Sequence, residues 1–206
     1  MLKLGKGRRR SREAIATATE LQAAGDHLRA LEVLTEANRE RHDPELERIL
    51  VRVRNRAFAN LPADARPIPE PDGSQMELRD GLPNVTADRL SAGRLRHAIS
   101  EHGAMVVRGL VPDQARLGEL RSGVDRAFDA RERAGAGSER GDDDPWYRQF
   151  EPEPEYELAV GFGRQFVNAG SGVWLADSPR MLFELTEAFE AAGLRDLIGD
   201  YLGERP

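Results

Sequence analysis

Apolar positions recur at steps of three and four through the first sixty residues. From Ser11 to Ala24 the chain is rich in Ala, Glu, Leu and Gln, which lose little side-chain freedom in a helix. Ser11, two residues before Glu13, predicts the start of that helix, and Gly25-Asp26 interrupts it. Leu28, Leu31, Val33 and Leu34 mark one face of a second helix. Asp43-Pro44 opens a third, in which Leu46, Ile49, Leu50 and Val53 keep the period while Arg48, Arg52 and Arg56 face outward.

The pattern then breaks. Pro62, Pro67, Pro69, Pro71 and Asp72-Gly73 fall within twelve residues. Prolines at this density remove backbone donors and predict a semi-rigid extended linker. Beyond it the chain is mixed. Thr86 is the expected cap of a helix reaching about Glu101, with Leu90, Leu95 and Ile99 inside and Gly103 at its end. Ala104-Met105-Val106-Val107 reads as a short buried strand. Pro112-Asp113 opens a helix with Leu117, Leu120, Val124 and Phe128 as its core stripe. Arg133 to Pro145 reads as an exposed loop. Trp146 to Trp174, where aromatics alternate with Gly and Pro, predicts two or three short strands. Ser178-Pro179 starts a helix with Leu182, Leu185, Phe189 and Leu194 as its stripe and a break at Gly193. A last helix runs from Asp196 to Leu202 and ends at Gly203.

Composition narrows the chemistry. The chain has 206 residues and no cysteine, which excludes a disulfide framework, cysteine-ligated zinc, iron–sulfur clusters and thiol catalysis. No apolar run reaches a membrane span, and no apolar stretch follows the basic first residues as in a signal peptide. A soluble, cytoplasmic protein without a membrane partner is the expectation. Residues 1–60 carry 13 Lys/Arg against 9 Asp/Glu, and the remainder 17 against 27. The cluster Lys3, Lys6, Arg8, Arg9, Arg10 and Arg12 could touch nucleic acid by charge alone. The acidic body would repel the same polyanion, so a solvated terminus is favoured over a nucleic-acid site.

A search for a catalytic constellation meets mostly absences. Gly161-Phe162-Gly163 lacks the third glycine of a dinucleotide loop, and Gly170-Ser171-Gly172 lacks the spacing of a nucleophile elbow. His97 and His102 are five apart, whereas two ligands on one helical face need three or four. His102, just before Gly103, suits a helix C-terminus. Asp142, Asp143 and Asp144 could meet a hard cation but have no calcium-loop spacing, and a solvated loop is the simpler reading. Trp146, Tyr147, Phe150, Phe162, Phe166 and Trp174 could line a pocket with Arg164, Gln165 and Asn168 among them, although core packing is the commoner use of such aromatics.

Two resemblances organise these segments. Gly25-Asp26, Ala30-Leu31, Leu34, Ala37 and then Pro44 resembles the second half of a tetratricopeptide repeat, with the proline about two residues later than in that family. No second copy follows, and one hairpin cannot bury its face alone, so the hairpin is expected to dock on the rest of the chain. The run Ile99-Ser100-Glu101-His102-Gly103-Ala104-Met105-Val106-Val107-Arg108-Gly109-Leu110-Val111, with Val124-Asp125-Arg126-Ala127-Phe128 ending the next helix, resembles the opening of phytanoyl-CoA dioxygenase-like proteins. Ala176-Asp177-Ser178-Pro179-Arg180, the helix through Leu182, Phe183 and Phe189, and Tyr201-Leu202-Gly203-Glu204-Arg205-Pro206 resemble the helix and turn before that family's catalytic core.

The second resemblance implies a non-haem iron(II), 2-oxoglutarate-dependent oxygenase on a double-stranded β-helix, or jelly roll, that hydroxylates a small-molecule substrate. Its facial triad is a His-x-Asp pair with a distal His, and an Arg pairs with the 2-oxoglutarate carboxylate. No His-x-Asp occurs in this chain: Arg29, Pro44, Ile99 and Ala104 stand two positions after His27, His42, His97 and His102. No catalytic, cofactor-binding or metal-binding residue is therefore transferred, and no cofactor is assigned to the chain itself. The expected fold class is α+β. It comprises a helical, tetratricopeptide-like module at 1–60, a Pro-rich linker at 61–77, and the N-terminal part of a phytanoyl-CoA dioxygenase-like domain at 78–206, truncated before the metal-binding motif. Such a fragment is expected to be inactive alone. The alternative is a non-catalytic helical interaction or scaffold protein, with a protein partner on the helical module.

Overall fold

Asp26 begins the second helix by accepting a hydrogen bond from the Arg29 amide (3.2 Å), and Asp43 begins the third by accepting one from Glu45 (3.0 Å). A computed structural model of the chain, describing residues 2–60, 65–74, 76–135 and 144–204, places three helices here: α1 (Leu2–Ala23), α2 (His27–Glu40) and α3 (Pro44–Asn60). Helix α1 starts well before Ser11, which lies inside it and donates to Asp43 Oδ2 (2.7 Å) rather than capping an end. Ala14, Ala18, Ala30, Leu34, Leu46, Leu50 and Val53 form one core. The alanines on α1 and α2 let those helices approach closely. Phe183 from further along the chain completes the cluster, so the three helices do not close on themselves.

The described residues are mostly helical with a small mixed sheet, an α+β arrangement. The further helices are α4 (Ala92–His102), α5 (Gln114–Gly135), α6 (Glu157–Ala169), α7 (Pro179–Ala191) and α8 (Leu194–Leu202). None of the described helices is long and apolar enough to cross a membrane. Contacts divide the chain into two units, Met1–Leu61 with Leu120–Glu184 and Pro62–Glu119 with Leu185–Pro206. The chain passes between them inside α5 and α7.

In the second unit, strands β1 (Glu77–Arg79), β2 (Leu82–Thr86) and β3 (Val106–Arg108) form a sheet in that order. Asp80 and Gly81 both have positive φ, giving the tight turn that pairs β1 antiparallel to β2 with Leu78 opposite Pro83. The Asp-Gly pair between Leu78 and Leu82 is the local sequence signal for this hairpin. Strand β3 runs parallel to β2 and pairs Val107 with Val85. Its residues are half-buried or exposed rather than buried, because it lies at the sheet's edge. Ser91, not Thr86, caps α4 by accepting from the Arg94 amide (3.3 Å); Thr86 precedes a short 3-10 turn.

The proline-rich segment from residue 65 to 73 is neither helix nor strand, and backbone hydrogen bonds tie it to the second unit. Arg66 donates its amide to the Gly203 carbonyl (2.7 Å) and Asp72 donates to Gly93 (2.9 Å). Gly93 sits so close beneath this strap that a Cβ there would lie 2.8 Å from the Glu70 carbonyl. Gly203 ends α8 at φ +73°, and a Cβ would lie 2.6 Å from Ile68 Cγ1. Gly203→Ala therefore combines left-handed strain with overpacking and is expected to cost about 1–3 kcal/mol. Urea unfolding followed by circular dichroism measures it, and a neutral result would mean the strap does not hold α8.

Three expectations are corrected here. Trp146 to Trp174 holds no strand among its described residues; its centre is α6, where Leu158, Phe162 and Phe166 recur at the helical step of four. Gly163 is tolerated inside that helix because the Trp174 ring lies where a Cβ would be, 2.0 Å from its Cζ3. The apolar stripes expected for α4, α5 and α7 are only partly turned inward: Leu95, Leu120, Leu182 and Leu185 are half-buried, whereas Ile99, Leu117, Val124, Phe128 and Phe189 are exposed. Ala98, Gly123, Ala127, Ala130 and Ala188 are buried, since small side chains permit a close approach, and in α7 Met181 and Phe183 are buried beside them. At Gly123, Met181 and Trp146 occupy the space a side chain would need. Finally, α5 continues to Gly135, into the segment expected to be a loop; Asp142 and Asp143 lie outside the described residues.

Candidate functional site

The first unit buries two carboxylates, Glu47 and Asp177, each only 1% exposed. A buried charge is tolerated only when paired and hydrogen-bonded. Both are held by residues of one short phrase, Asp177-Ser178-Pro179-Arg180, or by groups that this phrase reaches.

Asp177 Oδ2 accepts from Arg164 Nε (2.7 Å), and its Oδ1 accepts from Arg164 Nη2 (2.8 Å) and the Phe150 amide (2.7 Å). Arg164 Nη2 also donates to the Phe150 carbonyl (2.6 Å). The hydrogen bond to Asp177 holds the Arg164 guanidinium charged more firmly than usual. The Asp177 carbonyl accepts from the Arg148 amide (2.7 Å), and the Ser178 hydroxyl donates to the Trp146 carbonyl (2.6 Å). Residues 146–150 are thus stitched to residues 177–178. Burial, and next the nearby Asp177 carboxylate, pushes the Tyr147 hydroxyl above its ordinary value.

Arg180 donates from Nε to Glu47 Oε1 and lies 5.7 Å from the Trp146 ring centre, while Arg126 lies 5.3 Å from it. Asn38 donates to Glu47 Oε1 (3.3 Å) and accepts from the Asp43 amide (2.9 Å), fastening the α2–α3 turn. Glu47 Oε2 is buried with no hydrogen-bond partner. His42 stands between Glu47 Oε1 (Nδ1, 3.3 Å) and Glu184 Oε1 (Nε2, 3.3 Å), edge-on to Phe183. Burial pushes the Glu47 carboxyl up, and Arg180, then Asn38 and His42, pull it part of the way back.

Beside Arg164 lies an open groove of about 810 Å³ lined by Gln149, Phe150, Glu151, Phe162 and Gln165, among others. The structure thus brings together Phe150, Phe162, Arg164 and Gln165 from the aromatic segment. Phe166 is left exposed, while Trp174 packs on Gly163 and Trp146 on Gly123. No family model, curated protein or solved structure matches this chain.

The histidines lie apart. The His97 and His102 rings are 6.3 Å apart, with His97 against Gly73, and His27 Nδ1 is buried without a partner. Among the described residues no three His, Asp or Glu side chains are grouped to hold a metal. Arg164 and Arg180, which could have offered forks to a dicarboxylate, are engaged by Asp177 and Glu47. No ligand of an iron(II)–2-oxoglutarate centre is assigned among the described residues. The Glu47–Arg180 pair ties α3 to α7, and the Asp177–Arg164 pair ties α6 to residue 177.

The Asp177–Arg164 and Glu47–Arg180 pairings were not apparent in the sequence. Asp177 and Arg180 were singled out there only by resemblance, and Arg164 only as a polar residue among aromatics. For Glu47 a signal existed. It lies between Leu46 and Leu50 on α3, and both neighbours are fully buried.

Proposed function

We propose that this chain is the N-terminal, non-ligating portion of an iron(II)/2-oxoglutarate-dependent, phytanoyl-CoA dioxygenase-like oxygenase, and that it supports the jelly roll rather than performing the chemistry. The observation that carries the reading is the conformation of residues 99–128. Helix α4 ends at left-handed Gly103 (φ +75°), β3 follows, Gly109 turns left-handed (φ +72°), and α5 begins with Asp113 accepting from the Ala115 amide (2.9 Å). This helix, strand and helix is the order that the family's opening phrase requires. Strand β3 pairs on one side only among the described residues, which leaves an edge on which further strands can build. Iron(II) and 2-oxoglutarate would then be held by residues outside this chain, and the substrate would be a small molecule.

The test has two parts. Anaerobic calorimetry on the 206-residue chain is expected to show no stoichiometric binding of iron(II) with 2-oxoglutarate. The product of the complete gene is expected to release succinate and CO2 from 2-oxoglutarate in an iron-dependent manner. Binding by the chain alone, or no turnover by the complete product, overturns the reading.

A second reading, a non-catalytic helical interaction protein, is favoured by one observation. Helix α6 carries a row of large apolar side chains that no described residue covers.

A further inference from the structure

Leu158, Phe162 and Phe166 are 75%, 65% and 83% exposed, although they are the largest apolar side chains of α6. They recur at i, i+4 and i+8 and so form one stripe, about 12 Å long at the rise of an α-helix. Scattered exposed apolar residues are ordinary, whereas a contiguous row on one helix face marks a surface that binds something. No residue of α6 is fully buried, and the helix is held by the Arg164 pair with Asp177 and by the Trp174 ring against Gly163.

The charges beside the stripe select its occupant. Glu151 and Glu157 line the groove next to Leu158 and Phe162 and are exposed. Arg164, the cation in that lining, is neutralised by Asp177. The surface therefore offers an apolar row bordered by two carboxylates that form no ion pair among the described residues. A second copy presenting the same face would bring like charges together. We propose that the α6 stripe is a docking site for an amphipathic helix of another protein, one with large apolar residues at three- or four-residue spacing and Lys or Arg flanking them. This is the helix-in-groove mode of recognition, with the carboxylates supplying register and the phenylalanines most of the affinity. The proposal stands on α6 and its groove and does not depend on the oxygenase reading.

The experiment uses two synthetic helical peptides with leucines at i, i+4 and i+8, one flanked by lysines and one by glutamates. Fluorescence anisotropy with the full chain is expected to give saturable binding of the lysine peptide, weakened by added salt, and none of the glutamate peptide. Phe162→Ala with Phe166→Ala is expected to weaken binding at least about tenfold, the scale of a lost apolar anchor. Both side chains are exposed, and circular dichroism verifies that the fold is kept. Glu151→Lys with Glu157→Lys is expected to reverse the preference between the peptides, a result that loss of folding could not imitate. Equal binding of both peptides, or of neither, overturns the proposal. So does a concentration-dependent dimer in sedimentation that Phe166→Asp dissociates, since the stripe would then be covered by a second copy.

Discussion

Replacing Asp177 with alanine is expected to destabilise the first unit by about 3–5 kcal/mol, the cost of removing one partner from a buried ion pair. The carboxylate receives three hydrogen bonds of 2.7, 2.7 and 2.8 Å and is nearly inaccessible to water. Its loss leaves the Arg164 guanidinium, itself largely buried, without a counter-charge, and the Phe150 amide without an acceptor. The groove should loosen with it, because Arg164 fixes α6 to residues 150 and 177. Asp177→Asn keeps an acceptor and should lose less. Arg164→Met with Asp177→Leu should recover much of the loss, because apolar residues of similar volume can replace a buried pair at little cost. Urea unfolding of the parent, Arg164→Met, Asp177→Leu and the double variant closes the double-mutant cycle, with Asp177→Ala and Asp177→Asn measured beside them. A cost below about 1 kcal/mol for the alanine variant, as for an exposed pair, would show that this clasp does not hold the unit together.

Arg180→Ala should be comparably costly, and its cost should depend on pH. Burial already raises the Glu47 carboxyl, and Arg180 is the foremost influence opposing that rise. Without it the folded-state value climbs further above the unfolded one. A carboxyl raised on folding binds its proton more tightly in the native chain, so its contribution is fully present below the unfolded value and declines as pH rises through the folded one. Arg180→Ala is therefore expected to lose more stability at about pH 7 than at about pH 4. Adding Glu47→Gln should restore part of the loss at neutral pH and flatten the profile, since the amide carries no charge to desolvate. Thermal or urea unfolding across this range decides it; a loss that is the same at both ends would mean Glu47 is not the titrating group.

Punctuation was the legible part of this chain. Asp26, Pro44, Gly103, Asp113, Gly193 and Gly203 mark helix ends where the sequence places them. Facing was not legible for α4, α5 and α7. In α4 and α5 the fully buried positions are Ala98, Gly123 and Ala127 rather than the leucines of the expected stripe, and in α7 Met181 and Phe183 reach the interior while Phe189 stays exposed. Periodicity records that a stripe exists and not which neighbour arrives against which side. In α6 the glycines suggested strand breaks, and Trp174 turned one of them into a packing site. Of the candidate site, the aromatics and Arg164 could be named from the sequence, but the two ion pairs could not. Glu47 and Arg180 are separated by more than a hundred residues, and nothing local to either announces the other.

By itself the sequence determined the helical character of the first sixty residues, the absence of helix and strand from residues 65–73 and the ends of most helices. Caps, prolines and left-handed glycines act within about four residues of themselves, so no distant partner is needed to read them. The tertiary structure alone decided which faces are buried, that Asp177 and Glu47 lie in the interior, and that the apolar row of α6 is left open. Burial and the pairing of charges depend on what the rest of the chain brings alongside a residue, and one segment carries no record of that.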